Sequence, residues 1–268
     1  MKSIQNPVTV MLRSMILSCI IIIAAFSRVS AQDLKARPLQ KLIDCPSAGG
    51  PEPRSFDFEL RTFPPNGVLL GFNIGLFKRF ALGVSYGGTD VIGYDAPLWN
   101  PQPGVSIAYR LIDESVALPG LAVGFNNQGY GRWDDDAGRY QYQPKGFYAV
   151  TGKNFLVWGL GEMGLHFGVN YNPTEASNPG VDLFAALNYL MTEQLGFIVE
   201  YSPALDDYHS DEAFGRGRGY MHAGVRWSFG QRFAIDLHFK DLLVNQKGSV
   251  RLGSRVGREI RISYIEHL

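Results

Sequence analysis

The stretch FLVWGLGEMGLHFGVNY, residues 155–171, decides the fold. Its odd positions, Phe155, Val157, Gly159, Gly161, Met163, Leu165, Phe167, Val169 and Tyr171, are apolar, aromatic or glycine. Its even positions include Glu162, His166 and Asn170. A period of two puts the two sets on opposite faces of a strand. Strands of a soluble sandwich also alternate, but they run about 5–6 residues. A strand tilted across a bilayer needs roughly 9–11, and this run is long enough. The pattern predicts an outer-membrane β-barrel.

Working outward, the same alternation predicts strands over 54–62, 67–77, 80–88, 104–112, 119–126, 146–153, 155–170, 180–190, 194–201, 219–229, 231–240 and 256–265. Short connections fall at Lys78-Arg79, Asp113 to Leu118, Asn154, Met191 to Glu193 and Gly230. Long ones cover 89–103, 127–145, 171–179, 202–218 and 241–255. Short periplasmic turns facing long external loops are the rule for such barrels, and an even strand count returns both termini to the periplasm. The expected architecture is all-β: a transmembrane, antiparallel, up-and-down barrel of about twelve strands over residues 54–268.

Lys2 and Arg13 precede an apolar run, Met15 to Phe26, and Val29-Ser30-Ala31 supplies small residues for cleavage before Gln32. Residues 1–31 therefore read as a secretory signal peptide, and 32–53, weakly patterned, as a periplasmic lead-in. Removing Lys2, Arg13 and Arg28 leaves 22 basic against 25 acidic residues. With no basic stripe, nucleic acid is not an expected partner. The partners expected are outer-membrane lipid and the barrel-assembly machinery, whose recognition signal matches Gly257, Ile260, Ile262 and Tyr264 of the last strand. Past the leader only Cys45 remains, so no internal disulfide forms.

The alternation also sorts the faces. Outward fall Phe56, Phe58, Leu70, Phe72, Ile107, Tyr109, Phe197, Val225, Trp227, Leu237 and Ile260, among others. Inward fall Asp57, Glu59, Arg110, Glu162, His166, Asp182, Glu200, His222, Arg226, Asp236, His238, Glu259 and Arg261. A charge on the lipid face costs roughly 2–4 kcal/mol at the midplane, so these side chains belong inside. Strand 146–153 is ambiguous, because Phe147 and Tyr148 compete for the lipid.

Three stretches carry a family resemblance. Leu42-Ile43-Asp44-Cys45-Pro46-Ser47-Ala48 resembles the opening motif of the YjbH-like outer-membrane barrels. The run Gly104 to Glu114 with Leu118 to Gly124 is similar to a paired-strand motif of that family, and Tyr148 to Phe155 to its next hairpin. The resemblance spans roughly residues 41–160. It implies a barrel linked with exopolysaccharide secretion, with polysaccharide or export proteins as partners.

No catalytic, cofactor-binding or metal-ligating set is assigned. Asp206-Asp207-Tyr208-His209-Ser210-Asp211 and Asp134-Asp135-Asp136 have the residue types of an omptin-type protease, the competing enzymatic reading, but turn-forming polar content explains both. The acidic triplet also lacks the ligand loop of a Ca²⁺ site. Gly215-Arg216-Gly217-Arg218-Gly219 has no helix behind it to make a phosphate cradle and reads as a flexible cationic loop. What remains is a lumen charge network of Arg110, Glu162, His166, Glu200, His222, Arg226, Asp236, His238 and Arg261. Mixed signs favour a salt-bridged plug, with the arginines paired to Glu162, Glu200 and Asp236. A narrow passive pore is the alternative.

Overall fold

The structure, a computed structural model, describes residues 41–157, 161–174, 180–205, 207, 214–230, 232–247 and 256–267. The expected signal peptide lies outside the described residues. The strands are β1 (Ser55–Phe63), β2 (Gly67–Phe77), β3 (Phe80–Thr89), β4 (Leu98–Trp99), β5 (Gly104–Ile112), β6 (Gly120–Asn126), β7 (Tyr130–Asp134) and β8 (Arg139–Tyr142). They continue as β9 (Gly146–Val157), β10 (Gly161–Tyr171), β11 (Val181–Leu190), β12 (Leu195–Ser202), β13 (Tyr220–Phe229), β14 (Phe233–Lys240) and β15 (Gly257–His267).

Twelve of them close a barrel. Each pairs antiparallel with its neighbours in the order β1-β2-β3-β5-β6-β9-β10-β11-β12-β13-β14-β15, and β15 returns to β1 from Ser55↔His267 to Thr62↔Ile260. Closure leaves no free edge, so every ladder group has a partner without water, which a spanning structure requires. The remaining three are β4, which extends the edge of β3, and the hairpin β7–β8 inside the connection 127–145.

The run that pointed to the fold is not one strand. Val157 opposes Gly161, so residues 155–157 end β9 and 161–171 form β10. The expected turn at Asn154 is displaced to beyond Val157. Opposed residues share a face, and both members of this pair are odd-numbered. The chain therefore reverses without changing the parity of its alternation, and a period-two signal cannot register the reversal. The ambiguity of the preceding segment resolves the same way: Phe147 is exposed, while Tyr148 turns in against the lumen core.

The faces fall as the alternation requires. Phe58, Leu70, Phe72, Val84, Tyr109, Phe167, Leu183, Trp227, Leu237 and Ile260 are exposed on the outside. Inside, Asp57, Glu162, His166, Asp182, Glu200, His222, Asp236, His238, Glu259 and Arg261 are all buried. An interior of roughly eight strands is filled by its own side chains, and one of roughly sixteen leaves a channel. Twelve strands lie between, and here the surplus space is taken up by chain. Residues 41–50, expected as part of a lead-in outside the barrel, lie in the lumen, where Leu42 is 1% exposed and Ile43 2%. Hairpin β7–β8 folds in from the other end, with Tyr130, Arg139 and Tyr140 buried.

This infolding changes which loops a protease can reach. The stretch 91–98, which runs into β4, is exposed apart from its first residue, whereas much of 127–145 is inside. Protease added to intact cells should cut first within 91–98 and spare Arg139-Tyr140. Cleavage confined to the opposite rim, at Asp113 to Leu118, would show the barrel to be inverted.

Candidate functional site

The plug segment is gripped by its backbone. The Glu200 carboxylate, on β12, accepts hydrogen bonds from the N–H groups of Ile43 (2.6 Å), Asp44 (2.9 Å) and Cys45 (3.1 Å). From the facing wall Arg61 on β1 and Arg261 on β15 donate to the Ile43 carbonyl at 2.9 and 3.2 Å. Arg226 on β13 donates to the Lys41 carbonyl at 3.0 Å. The Lys41 ammonium reaches back to Asp57 (2.7 Å) and Glu59 (2.9 Å) on β1. An irregular segment carries unpaired backbone groups, and buried ones cost free energy unless satisfied. Here the inward charges supply the partners that a strand neighbour supplies elsewhere.

Asp44 is the centre of the plug. It accepts from Arg61 (2.9 Å) and the Tyr130 hydroxyl (3.0 Å), pairs with Lys240, and stands 3.7 Å from His222 Nε2. Burial opposes its charge, but the Lys240, Arg61 and His222 neighbours outweigh burial and hold the carboxyl well below the usual range. Next to it, burial and the Glu200 carboxylate push the Cys45 thiol up. The plug's apolar side chains, Leu42, Ile43 and Cys45, pack with Ala122, Val150, Phe184, Ala186 and Ile198 of the wall.

Each member of the expected charge network has a definite place. Arg226 forks onto Asp236 at 2.7 and 2.8 Å, and Arg261 bonds the same carboxylate at 2.5 and 2.7 Å. His238, fully buried, stands 3.7 Å from Asp236 and 3.8 Å from Glu259. His222 Nδ1 accepts from the Asp241 N–H at 3.0 Å. Of these, Arg226, Arg261 and His222 reach the plug, at the Lys41 carbonyl, the Ile43 carbonyl and Asp44. The others are placed differently. Arg110 sits at the short-turn rim, 3.3 Å from Asp113, with a 3.5 Å bond to Gly50 O. His166 bonds Asn188 at 2.8 Å. Buried Glu162 has one oxygen without a hydrogen-bond partner among the described residues. Glu200 meets plug backbone rather than an arginine, because a carboxylate accepts N–H groups as readily as cations.

Sequence reasoning missed Arg61 and Lys240, although Asp57-Glu59-Arg61 and Asp236-His238-Lys240 extend the inward alternation. It also missed the hairpin. Tyr130 is the hinge of contact between hairpin, plug and wall, packing on Phe63 at 5.3 Å and Tyr142 at 5.0 Å, with the Arg61 guanidinium 4.7 Å from its ring. Arg139 forms a buried 2.5 Å pair with Asp207, which also takes the Tyr220 hydroxyl at 2.5 Å. Asp206 and residues 208–211 of the candidate protease loop lie outside the described residues. Asp134 accepts from Ala137 N–H at 2.9 Å and so caps the turn of the hairpin. Beside the plug a cavity of about 240 Å³ runs along the wall of β2, β3, β5 and β6, lined by Asn73, Ser85, Ser106, Asn126 and Gln128.

The chain is thus a closed transmembrane β-barrel whose lumen holds its own residues 41–50 and an infolded hairpin. No protein-family model and no curated protein matches it. Among solved structures it is similar to the KdgM porin, with a TM-score of 0.45 and 9% identity over 80% of this chain and 99% of that one. It is similar to the NanC porin at a TM-score of 0.45 and 7% identity, over the same shares. The likeness to Salmonella typhi OmpF in complex with daunomycin is 0.34 and 15%, over 74% of this chain and 61% of that one.

Arg226→Ala removes both a fork on Asp236 and a bond to the plug. Breaking a buried pair costs about 3–5 kcal/mol. With Arg261 still on Asp236, a loss of about 2 kcal/mol is expected, read as a lower temperature for the heat-induced gel shift. Val225→Ala, its outward neighbour, should change that temperature much less.

Proposed function

We propose that the chain works in the bacterial outer membrane as a non-catalytic, transport-related barrel held shut at rest by its own residues 41–50. The observation that carries this reading is the clamp of Glu200 on three successive plug N–H groups. A purely structural barrel has no need of it, and it disfavours a pore left permanently unobstructed. The grip is polar and localised, so it can be released without unfolding the wall. The apolar exterior and closed ladder support the membrane setting.

The gripped stretch Leu42 to Ala48 is the one that resembles the opening motif of the YjbH-like family. In this reading the motif is a gate. Surface exopolysaccharide is the cargo that the resemblance implies. The amides and hydroxyls of Asn73, Ser85, Ser106, Asn126 and Gln128 in the cavity beside the plug support it, since they can hydrogen-bond a hydroxyl-rich chain next to the charged Asp57, Glu59 and Arg61. A protease reading is disfavoured because Asp207 is committed to Arg139 and Tyr220.

Planar-bilayer recording tests the gate. Wild-type protein should show no sustained conductance. Glu200→Ala, which strands buried N–H groups at about 1–3 kcal/mol each, should open steps while keeping the heat-modifiable barrel band. A constantly conducting wild type, or a folded variant that stays closed, would contradict the proposal.

A further inference from the structure

The segment Gly215-Arg216-Gly217-Arg218-Gly219, expected as a flexible cationic loop, is held in place at the long-loop rim. The side-chain oxygen of Asn245 accepts from the backbone N–H groups of both Arg216 (3.0 Å) and Arg218 (2.9 Å). Asn245 is itself 1% exposed, and its N–H is fixed on Asp241 at 2.7 Å. Gly217 and Gly219 adopt positive φ of 77° and 73°, and a Cβ on Gly219 would meet the Tyr201 hydroxyl at 2.7 Å. Only glycine admits that backbone and that approach.

The scaffold presents two arginines outward. Both are exposed. Arg218 uses one guanidinium nitrogen on the Leu243 carbonyl, at 3.3 Å. No carboxylate among the described residues pairs with either. The arginines of the opposite rim differ: Arg79 pairs with Asp113 at 2.8 Å and Arg232 with Glu266 at 3.0 Å. Directly against Arg218 stand the exposed apolar residues Tyr201 and Leu243, and the Tyr201 hydroxyl lies 3.4 Å from the Arg218 carbonyl. An aromatic ring with its hydroxyl toward the rim marks the interface between acyl chains and headgroups. Two exposed guanidinium groups on a fixed backbone, without a carboxylate partner among the described residues, match phosphate oxygens at that level.

We propose that Arg216 and Arg218, fixed by Asn245 above Tyr201 and Leu243, bind the phosphate of a phosphorylated lipid headgroup in the outer leaflet. The headgroup phosphate accepts from the two guanidinium groups while its acyl chains lie on the apolar belt below. The site rests on the transmembrane barrel and its orientation and is independent of the gate, so conductance results do not bear on it.

Native mass spectrometry of the detergent-purified full chain, titrated with diphosphorylated lipid A, tests this. Wild type should retain the lipid, and the Arg216→Gln/Arg218→Gln double variant should bind it on the order of tenfold more weakly. Arg232→Gln, on the other rim, should bind as wild type does. Wild type should also discriminate against dephosphorylated lipid A, a comparison that stands even if the variant folds poorly, and millimolar inorganic phosphate should not displace the lipid. Equal binding of both lipid forms, an unaffected double variant, an equal loss in Arg232→Gln, or displacement by inorganic phosphate would each overturn the assignment.

Discussion

A single carboxylate holds the lumen together. Glu200 receives the N–H groups of Ile43, Asp44 and Cys45, while Arg61 and Arg261 take the Ile43 carbonyl from the facing wall. A chain segment without secondary structure can lie in a low-dielectric interior only if its backbone groups find partners. Without this clamp three buried plug N–H groups lose their acceptor. The remaining ties, Arg61, Arg261 and Arg226 on plug carbonyls and Lys240 on Asp44, then hold the segment against that cost. The wall supplies acceptors on one side and donors on the other, and the plug's peptide groups bridge them.

The second constraint is width. A barrel of twelve strands is wider than those of roughly eight, whose interior side chains alone fill. The surplus is met from both ends, by residues 41–50 and by hairpin β7–β8, and the two meet where Asp44 accepts from Tyr130. This contact ties a segment entering from the short-turn side to a loop returning from the long-loop side. Whatever displaces one loosens the other, so the arrangement behaves as a closure with two leaves. The cavity of about 240 Å³ lies beside the plug, where Asn73, Ser85 and Ser106 share the wall with the charged Asp57, Glu59 and Arg61.

Much of the barrel was legible because strand physics has a short period. Trp227 faces out and Arg226 faces in for reasons that two neighbours settle, and the twelve barrel strands follow from that alternation. Where the period itself was silent, the reading failed. Val157 and Gly161 are opposed with equal parity, so the reversal between them left no trace. The segment 41–50 has no period at all, since its order comes from Glu200, Arg61 and Arg261, which are distant in sequence. The hairpin did leave a signal. Tyr130 to Trp133 and Arg139 to Tyr142 flank a turn-forming Asp135 to Gly138, but four or five residues in a long loop do not by themselves report that the loop folds inward. The pairing of Arg226 and Arg261 with Asp236 was legible from the inward alternation; that Glu200, Arg61, Arg226 and Arg261 also meet on a backbone required the fold.

Cys45 lies inside the plug, 6% exposed, and beyond residue 31 it is the only thiol in the sequence. In a Cys19→Ser background its rate of alkylation by a bulky, membrane-impermeant maleimide reports plug occupancy directly. A plug seated on Glu200 predicts that folded protein resists labelling while urea-unfolded protein labels completely. Glu200→Ala should restore labelling in the folded barrel. Labelling of the folded wild type at the unfolded rate would contradict the account, because the plug would then be outside the lumen.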